Sequence, residues 1–303
     1  GKTMEKAMAL AETVMGKSRI SKGTLKDPQF SIWKFGEEGI MAECISDDSV
    51  ESLKIAVPSC MEKSALDEAD VVWEKGVKKI PFVKQLNKTG TQVALLHSDV
   101  KHKLKEFRNE ELEFTFKPPL PTEISEMVIH GVKGNTNAGV FDLKHKFYDV
   151  NRGTWVEVPK PNSLNIGNFG DVRGIIEISK LKKAVIAMSK VDKVIEVFRI
   201  HSYLDETSAG TSEDQLTGFV TKLGNDEVIG SMAIPVDYKS RGYQNKGGMT
   251  GLPFDRLLNL LKVTTGEAVI EFGEDMPLRI IGVIKTPEPI YYEYVLAHRT
   301  ERK

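Results

Sequence analysis

The sequence contains very little cysteine. Its only two cysteines, Cys44 and Cys60, lie in apolar stretches and at no spacing that a metal site needs. Their apolar surroundings favour two buried thiols in a reducing compartment over one disulfide. With 303 residues and a hydrophobic content of 40%, the chain can fold around its own cores without such crosslinks.

Long hydrophobic runs are also absent. No apolar run approaches the roughly 20 residues that a membrane-spanning helix requires. The first residues do not follow the pattern of a signal peptide. We therefore expect a soluble, intracellular protein that has no membrane partner.

The sequence lacks the common signatures of catalysis. Its six histidines form no HExxH pair, and no G-x-S-x-G motif occurs. Gly1-Lys2-Thr3 imitates the end of a P-loop, but the strand and glycine-rich loop that would hold a phosphate are missing. The sequence therefore predicts no catalytic residues, no metal and no cofactor, and an enzyme is the second hypothesis rather than the first.

The chain has almost no net charge, yet its charges are unevenly distributed. The formal net charge is −1, whereas the four predicted helices, residues 2–17, 99–108, 179–193 and 255–267, carry 14 basic and 7 acidic residues. On a single helix, lysines that only solubilise the surface are the simpler explanation. Four such helices on one side of a sheet would form a basic lining that attracts DNA phosphates irrespective of base sequence. The candidate DNA-facing residues are Lys2, Lys6, Lys17, Lys101, Lys103, Lys105, Lys182, Lys183, Lys190, Lys193, Arg256 and Lys262.

The pattern of predicted elements repeats. A helix, a group of strands, a second helix and further strands occur in that order twice, which predicts an α+β protein of two similar domains. A stretch rich in glycine, proline and asparagine separates the two halves. We expect an N-terminal domain at 1–148, an interdomain connector at 149–171 and a C-terminal domain at 172–303.

The last fifty residues carry the most specific pattern. A leucine-rich helix through Lys262 is followed by three predicted strands, with Met276-Pro277-Leu278 after an acidic turn and Tyr294-Val295-Leu296-Ala297-x-Arg near the end. This order resembles the C-terminal quarter of the PCNA-type DNA sliding clamps. Two features depart from the family. His298 stands where these clamps usually have proline. These clamps also begin with a strand before the first helix, which is absent here, so either the chain has been trimmed or the fold departs there.

The resemblance implies a fold and a function. Members of this family are clamp-type rings, with sheets on the outside and two helices per domain on the inner face. They encircle duplex DNA as trimers and tether DNA polymerase and other clients after a clamp loader has opened the ring. Client peptides dock beneath the connector, and by position that pocket involves Val156, Val158, Leu164, Ile166, Pro277, Leu296, Ala297 and His298.

Two alternatives remain beside this interpretation of the sequence. The apolar residues of the pocket can equally well only pin the connector to the sheet. The long polar loops at 203–216 and 238–251 also fit a subunit of a heteromeric or checkpoint-type ring, or a binding module that forms no ring. Self-association distinguishes the last of these from a homotrimeric clamp.

Overall fold

A computed structural model gives the fold of the chain. It describes residues 1–16, 19–21, 24–27, 30–46, 48–59, 77, 80–117, 126–132, 136–142, 146–149, 154–157, 169–192, 195–203, 215–222, 227–239, 242–243 and 245–299. The chain divides into two compact units. Unit one comprises Gly1–Asp47, Leu53–Ser163 and Thr286–Ile290, and unit two comprises Asp48–Ser52, Leu164–Lys285 and Tyr291–Lys303.

Unit one combines helices with antiparallel strands. In chain order its elements are α1 (Lys2–Met15), β1 (Arg19–Ser21), β2 (Thr24–Asp27), β3 (Phe30–Gly36), β4 (Gly39–Ile45), β5 (Glu51–Pro58), α2 (Pro81–Thr89), β6 (Thr91–Leu96), α3 (His97–Glu106), β7 (Leu112–Lys117), β8 (Glu126–Gly131), β9 (Thr136–Asp142), β10 (Lys146–Asp149) and β11 (Thr154–Glu157). The strands β5, β4, β3 and β6 are neighbours in that order. β7, β8 and β9 form a second sheet, and β1–β2 and β10–β11 are hairpins.

Unit two has the same kinds of elements in a similar order. They are β12 (Val172–Glu177), α4 (Ile178–Met188), β13 (Val197–Ser202), β14 (Gln215–Thr221), β15 (Val228–Asp237), β16 (Gly248–Pro253), α5 (Phe254–Val263), β17 (Glu267–Phe272), β18 (Leu278–Ile284) and β19 (Ile290–Leu296). Its strands follow one another as β16-β13-β14-β15-β12-β17-β18-β19.

The two units share one strand order. β5-β4-β3-β6 in unit one corresponds to β15-β14-β13-β16 in unit two, and β7-β8-β9 corresponds to β17-β18-β19. In unit two β12 joins the two groups, because it pairs with β17 along its length and with the end of β15. Two helices pack against each other in each unit, α1 with α3 and α4 with α5. The predicted α+β class with two similar clamp-type domains is therefore confirmed.

The helices form where the sequence places apolar residues at three- and four-residue spacing. α1 buries Met4, Ala7, Met8 and Ala11, as that spacing predicts. The helix ends at Gly16, whose φ of 77° is a left-handed conformation that glycine adopts without a steric penalty. In α5, Phe254, Leu257, Leu260 and Leu261 form the buried stripe.

Several elements differ from the sequence-based expectation. The paired strands β10 and β11 include residues 149 and 154–157, which we expected to belong to an extended connector. The strand β16 begins within the predicted loop 238–251 and pairs with β13 over six residues. The sequence analysis also missed α2, whose Val83 and Leu86 are buried in unit one. The loop predicted at 203–216 lies almost entirely outside the described residues.

Candidate nucleic-acid interface

Helix α4 presents the clearest basic surface of the described residues. Its apolar side, including Leu181, Val185 and Met188, is buried. Lys183 is exposed and Lys182 is half-buried, as the helical spacing predicts. Lys190, in the turn just after the helix, is exposed as well. No acidic residue occurs between 178 and 188. The outward side of α4 is therefore positively charged without a compensating carboxylate on the same helix.

Helix α5 contributes less free charge than its sequence indicates. Lys262 is exposed and donates a hydrogen bond to the Oδ1 of Asn259 at 3.3 Å. Arg256 instead donates to Glu51 Oε1 at 2.5 Å and to Asp48 Oδ2 at 3.1 Å. These two carboxylates neutralise the guanidinium, so the main partners of Arg256 are protein groups of unit two.

The Glu51 carboxylate lies in the interior of unit two. Its side chain is 1% exposed, and the hydroxyl of Tyr294 donates to its Oε2 at 2.6 Å. Burial raises the pKa of Glu51, although the hydrogen bonds from Tyr294 and Arg256 act in the opposite direction. Burial also raises the pKa of Tyr294. The buried Glu51 carboxylate thus accepts hydrogen bonds from the buried hydroxyl of Tyr294 and from Arg256, whose side chain is 36% exposed.

Ion pairs between helices reduce the free charge of unit one as well. Lys101 on α3 contacts Glu12 on α1 at 2.5 Å, and Arg108 just after α3 contacts Glu5 on α1 at 2.9 Å. Lys105 is exposed. The sequence predicted Lys101 as a DNA-facing residue, and the structure adds that it joins the two helices of its unit.

The other predicted lysines fall into two groups. Lys2 is exposed and Lys6 is half-buried on α1. Lys17 and Lys193 lie outside the described residues, as does the side chain of Lys103 on α3. The assignment of all these lysines to DNA remains a prediction.

The predicted client pocket is described in part. Val158, Leu164 and Ile166 lie outside the described residues, and Val156 lies on β11 opposite Phe147. Leu296 is fully buried, which makes it a core residue rather than a pocket wall. Pro277 and Ala297 are half-buried.

His298 fastens the tail to β16 and to the turn before β18. The amide of Gly251 donates to its Nδ1 at 3.2 Å, and its Nε2 lies 3.4 Å from Asp275 Oδ1. Thr250 connects the two segments, since its hydroxyl donates to the carbonyl of Met276 at 2.6 Å and lies 3.2 Å from His298 Nδ1. The structure therefore brings His298 and the Met276-Pro277 turn together, and their role in a client pocket stays a prediction.

A charged ladder that the sequence analysis missed crosses the neighbouring strands. Glu271 on β17 contacts Arg173 on β12 at 2.9 Å and Arg279 on β18 at 2.8 Å, and Arg279 also contacts Glu293 on β19 at 3.0 Å. Phe169, at the end of the predicted connector, lies over the Arg279 guanidinium at 5.1 Å from the ring centroid. Alternation of charge along a strand indicates an outward face, but only the strand register reveals such pairs.

The described ranges lack two features of other classes of protein. They contain no helix that is long and apolar enough to cross a membrane. Among the same described residues, no group of three or more His, Cys, Asp or Glu side chains could hold a metal ion.

A packed pair of helices in each unit, set against antiparallel sheets whose order repeats, defines a duplicated α+β clamp architecture. No protein-family model matches the chain, and no curated protein matches its sequence. Solved structures match over nearly its whole length. PCNA from Thermococcus kodakaraensis is 14% identical with a TM-score of 0.60, and the match covers 98% of this chain and 96% of that chain.

Two further structures give similar values. The PCNA2–PCNA3 complex from Sulfolobus tokodaii is 12% identical with a TM-score of 0.58, covering 98% of this chain and 96% of that chain. A. fulgidus PCNA, solved with the C-terminal region of FEN-1 bound, is 11% identical with a TM-score of 0.56, covering 100% of this chain and 97% of that chain. The chain has the PCNA-type clamp fold that its C-terminal motifs predicted.

Proposed function

We propose that the protein is a DNA sliding clamp. It would encircle duplex DNA as a homotrimeric ring and tether DNA polymerase and other replication or repair proteins, which gives processivity without any chemistry of its own. The observation that carries the proposal is the exposed basic side of α4, on a chain whose fold is similar to PCNA over nearly its full length. Lysine side chains attract phosphates through their charge and need not contact the bases. Such a surface suits DNA binding that is independent of base sequence.

Ring closure needs strand edges that pair between subunits. Among the described residues β9 pairs only with β8, and β15 pairs with β14 along its length but with β12 only at Val236 and Asp237. Val228 at the start of β15 is 54% exposed. We propose that β9 of one subunit pairs with β15 of the next, a head-to-tail contact that a rotation closes into a ring. Pairing would also protect two edges that otherwise favour aggregation.

The same proposal implies that client proteins bind the ring and that a clamp loader opens it. A. fulgidus PCNA was solved with a segment of FEN-1 bound, and a peptide of comparable kind would dock here beside Ala297, His298 and Pro277. A clamp loader would open the ring around DNA inside the cell. A second candidate is a subunit of a heteromeric ring, because the Sulfolobus tokodaii structure is a complex of two different PCNA chains.

The native mass in solution tests the ring. Light scattering across protein concentration should give a mass near three times the 33.8 kDa of one chain. A monomer that persists at high concentration contradicts the homotrimer and favours the heteromeric candidate. Retention on nicked circular DNA, with release when the circle is cut, then tests encirclement, because a ring slides off free ends.

The β15 edge can be tested with one substitution. Pro235 has no amide hydrogen and lies within the β14–β15 ladder, so the amide position of residue 235 faces away from β14. Two residues earlier, the N–H of Ala233 faces the same outer edge. Ala233→Pro should therefore weaken trimer formation and leave the β14 ladder intact, whereas Ala233→Val keeps the amide and should assemble normally. A trimer unchanged by Ala233→Pro would exclude β15 as the subunit edge.

A further inference from the structure

The turn between β17 and β18, residues 273–277, contacts three separate segments of unit two. These segments are the end of the predicted connector (residues 169–171), the strand β16 and the tail (residues 297–299). The connector and the tail are the two sides of the client site in the proposed function. We call residues 273–277 the central turn, because it contacts a residue range on each of these sides.

The end of the connector lies directly on the central turn. Gly170 has a φ of 100°, a conformation in which residues with a side chain are strained. A Cβ atom on Gly170 would lie 2.3 Å from the Cα of Gly273, and one on Gly273 would lie 2.8 Å from the Cα of Gly170. Both distances are much shorter than an ordinary contact between carbon atoms. The two backbones can therefore meet only because both residues are glycine.

A second contact holds the same end of the connector. The ring of Phe169 lies over the guanidinium of Arg279, which follows the central turn on β18. The side chain of Arg279 is only 16% exposed and is itself fixed between the carboxylates of Glu271 and Glu293. The attraction between a cation and an aromatic ring is stronger where water is largely excluded. The charged ladder therefore gives the end of the connector a rigid support.

The central turn also holds β16 and the tail. The amide of Asp275 donates to the carbonyl of Met249 at 2.8 Å, and the amide of Met249 donates to Glu274 Oε2 at 2.8 Å. Asp275 has a φ of 52°, which is uncommon for a residue with a side chain, and its Oδ1 lies 3.4 Å from His298 Nε2. Such a conformation persists where contacts on several sides hold it. A displacement of the central turn must therefore disturb the tail.

We propose that Gly170 and Gly273 are positioning residues of the client site. Their contact seats the end of the connector on the central turn, and the same turn seats the tail through Asp275 and His298. One short turn thus sets the distance between the two sides of the site. This preorganisation raises affinity, because a client does not have to order the connector when it binds. The inference rests on the proposed function, to which it adds the element that fixes the client site.

Amide exchange in the free protein tests whether the two sides are connected. Gly170→Ala places a methyl group against Gly273, so the central turn must move. The amides of Met249 and Asp275 should then exchange faster, by roughly 2- to 30-fold. The amides of α4, which has no contact with the central turn in this argument, should keep their rates.

The matched control is Gly266→Ala, also in unit two. Gly266 has a φ of 86°, so alanine is strained there as well. Apart from chain neighbours, the nearest atom to a Cβ at this position is the carbonyl oxygen of Val283 at 3.6 Å, an ordinary contact, so nothing has to move. The amides of Met249 and Asp275 should therefore keep their exchange rates. An equal rise in both variants, or a rise that extends to α4, would indicate general destabilisation and overturn the proposal.

Peptide affinity shows whether the client site depends on this connection. The probe is the acetylated and amidated peptide Gln-Ser-Thr-Leu-Ser-Ser-Phe-Phe, which carries a glutamine and aromatic anchors. Gly170→Ala should weaken binding of the probe by roughly 2- to 30-fold in calorimetry, and Gly266→Ala should not. Equal affinity of Gly170→Ala and the unchanged chain would refute the positioning role. No binding by the unchanged chain would instead overturn the client site of the proposed function, and the positioning role with it.

A second pair of variants decides the question where Gly170→Ala fails to fold. Phe169→Leu removes the ring from Arg279, whereas Phe169→Tyr keeps it. The amide of Lys246 donates to the carbonyl of Asp171 at the end of the connector, so its exchange in the free protein reports movement there. Phe169→Leu should speed this exchange and weaken the probe, and Phe169→Tyr should do neither. Equal results for the two variants, or weaker binding without faster exchange, would contradict the proposal.

Discussion

The hydroxyl of Tyr294 donates a hydrogen bond to the carboxylate of Glu51 at 2.6 Å, between two residues that are fully buried in unit two. They are 243 positions apart in the sequence. Arg256 supplies the second partner of the same carboxylate at 2.5 Å. This arrangement gives Arg256 a structural role, although its position on a predicted basic helix first indicates contact with DNA.

Removal of either partner of Glu51 should destabilise the protein. Tyr294→Phe deletes one donor to a buried carboxylate, which costs about 1–3 kcal/mol. Arg256→Met removes the charge that compensates Glu51, and we expect a loss of about 3 kcal/mol or more. Urea denaturation measures both losses. Lys262→Met on the same helix is the control and should change stability by less than about 0.5 kcal/mol; a loss as large as that of Arg256→Met would refute the structural role.

Lys183 on α4 and Lys190 just after it should control the salt dependence of DNA binding. Lys183→Glu with Lys190→Glu should lower affinity for duplex DNA and make the slope of log K against log salt shallower, by about one unit for each phosphate that the variant no longer neutralises. The matched control is Lys88→Glu with Lys285→Glu, which makes the same charge change at exposed lysines outside α1, α3, α4 and α5. Identical slopes for the two double variants would show that α4 does not face DNA.

His97 should make unit one sensitive to mild acid. Burial, with a contribution from Lys101, lowers the pKa of His97 to about 4. Between pH 6.5 and 4 the unfolded chain takes up a proton that the folded chain does not. The contribution of neutral His97 to the free energy of unfolding is therefore complete above about pH 6.5. It is lost as the pH falls towards 4, by on the order of 3 kcal/mol in total. His97→Gln cannot take up this proton, so its stability should vary less across the same range in denaturant titrations.

The surroundings of His97 make it a specific test. Its Nε2 lies 2.6 Å from Ser31 Oγ, which in turn accepts a hydrogen bond from Trp33 Nε1 at 2.5 Å. In a background that carries Trp73→Phe and Trp155→Phe, the fluorescence of Trp33 therefore reports unfolding next to the titrating group. An equal fall in stability for His97→Gln and the unchanged protein would assign the acid sensitivity to other groups.

The thiol of Cys44 should not react with thiol reagents in the folded protein. Burial raises the pKa of its thiol to about 12, and its side chain is almost completely shielded from solvent. In a Cys60→Ser background, a thiol reagent should modify Cys44 only after denaturant is added, because the thiolate is the reactive form. Rapid modification under native conditions would contradict the burial.

Substitutions at Leu296 and Ala297 should distinguish an effect on stability from an effect on client binding. Leu296→Ala empties a fully buried position and should cost about 2–5 kcal/mol. Ala297→Glu changes a half-buried residue of the tail and should weaken a glutamine-containing client peptide with aromatic anchors, with little loss of stability. Peptide affinity measured by calorimetry, beside a thermal melt of each variant, distinguishes the two effects. A peptide affinity unaffected by Ala297→Glu would remove the tail from the proposed pocket.

Local patterns in the sequence determined much of the fold. The helical stripes of α1, α4 and α5 and the alternation in β14 are visible without coordinates, because helix and strand periodicity depends on residues within one or two turns of each other. The repeat of helix and strands follows from the same patterns, and so does the resemblance of the last fifty residues to a clamp.

Tertiary structure alone decided which charges are free and which edges are open. Lys101 and Arg256 follow the same sequence pattern as Lys183, yet Glu12 and Glu51 engage them because folding places distant segments side by side. The strand β16 was not predicted from the sequence, because its glycines interrupt the alternation of apolar and polar residues that indicates a strand.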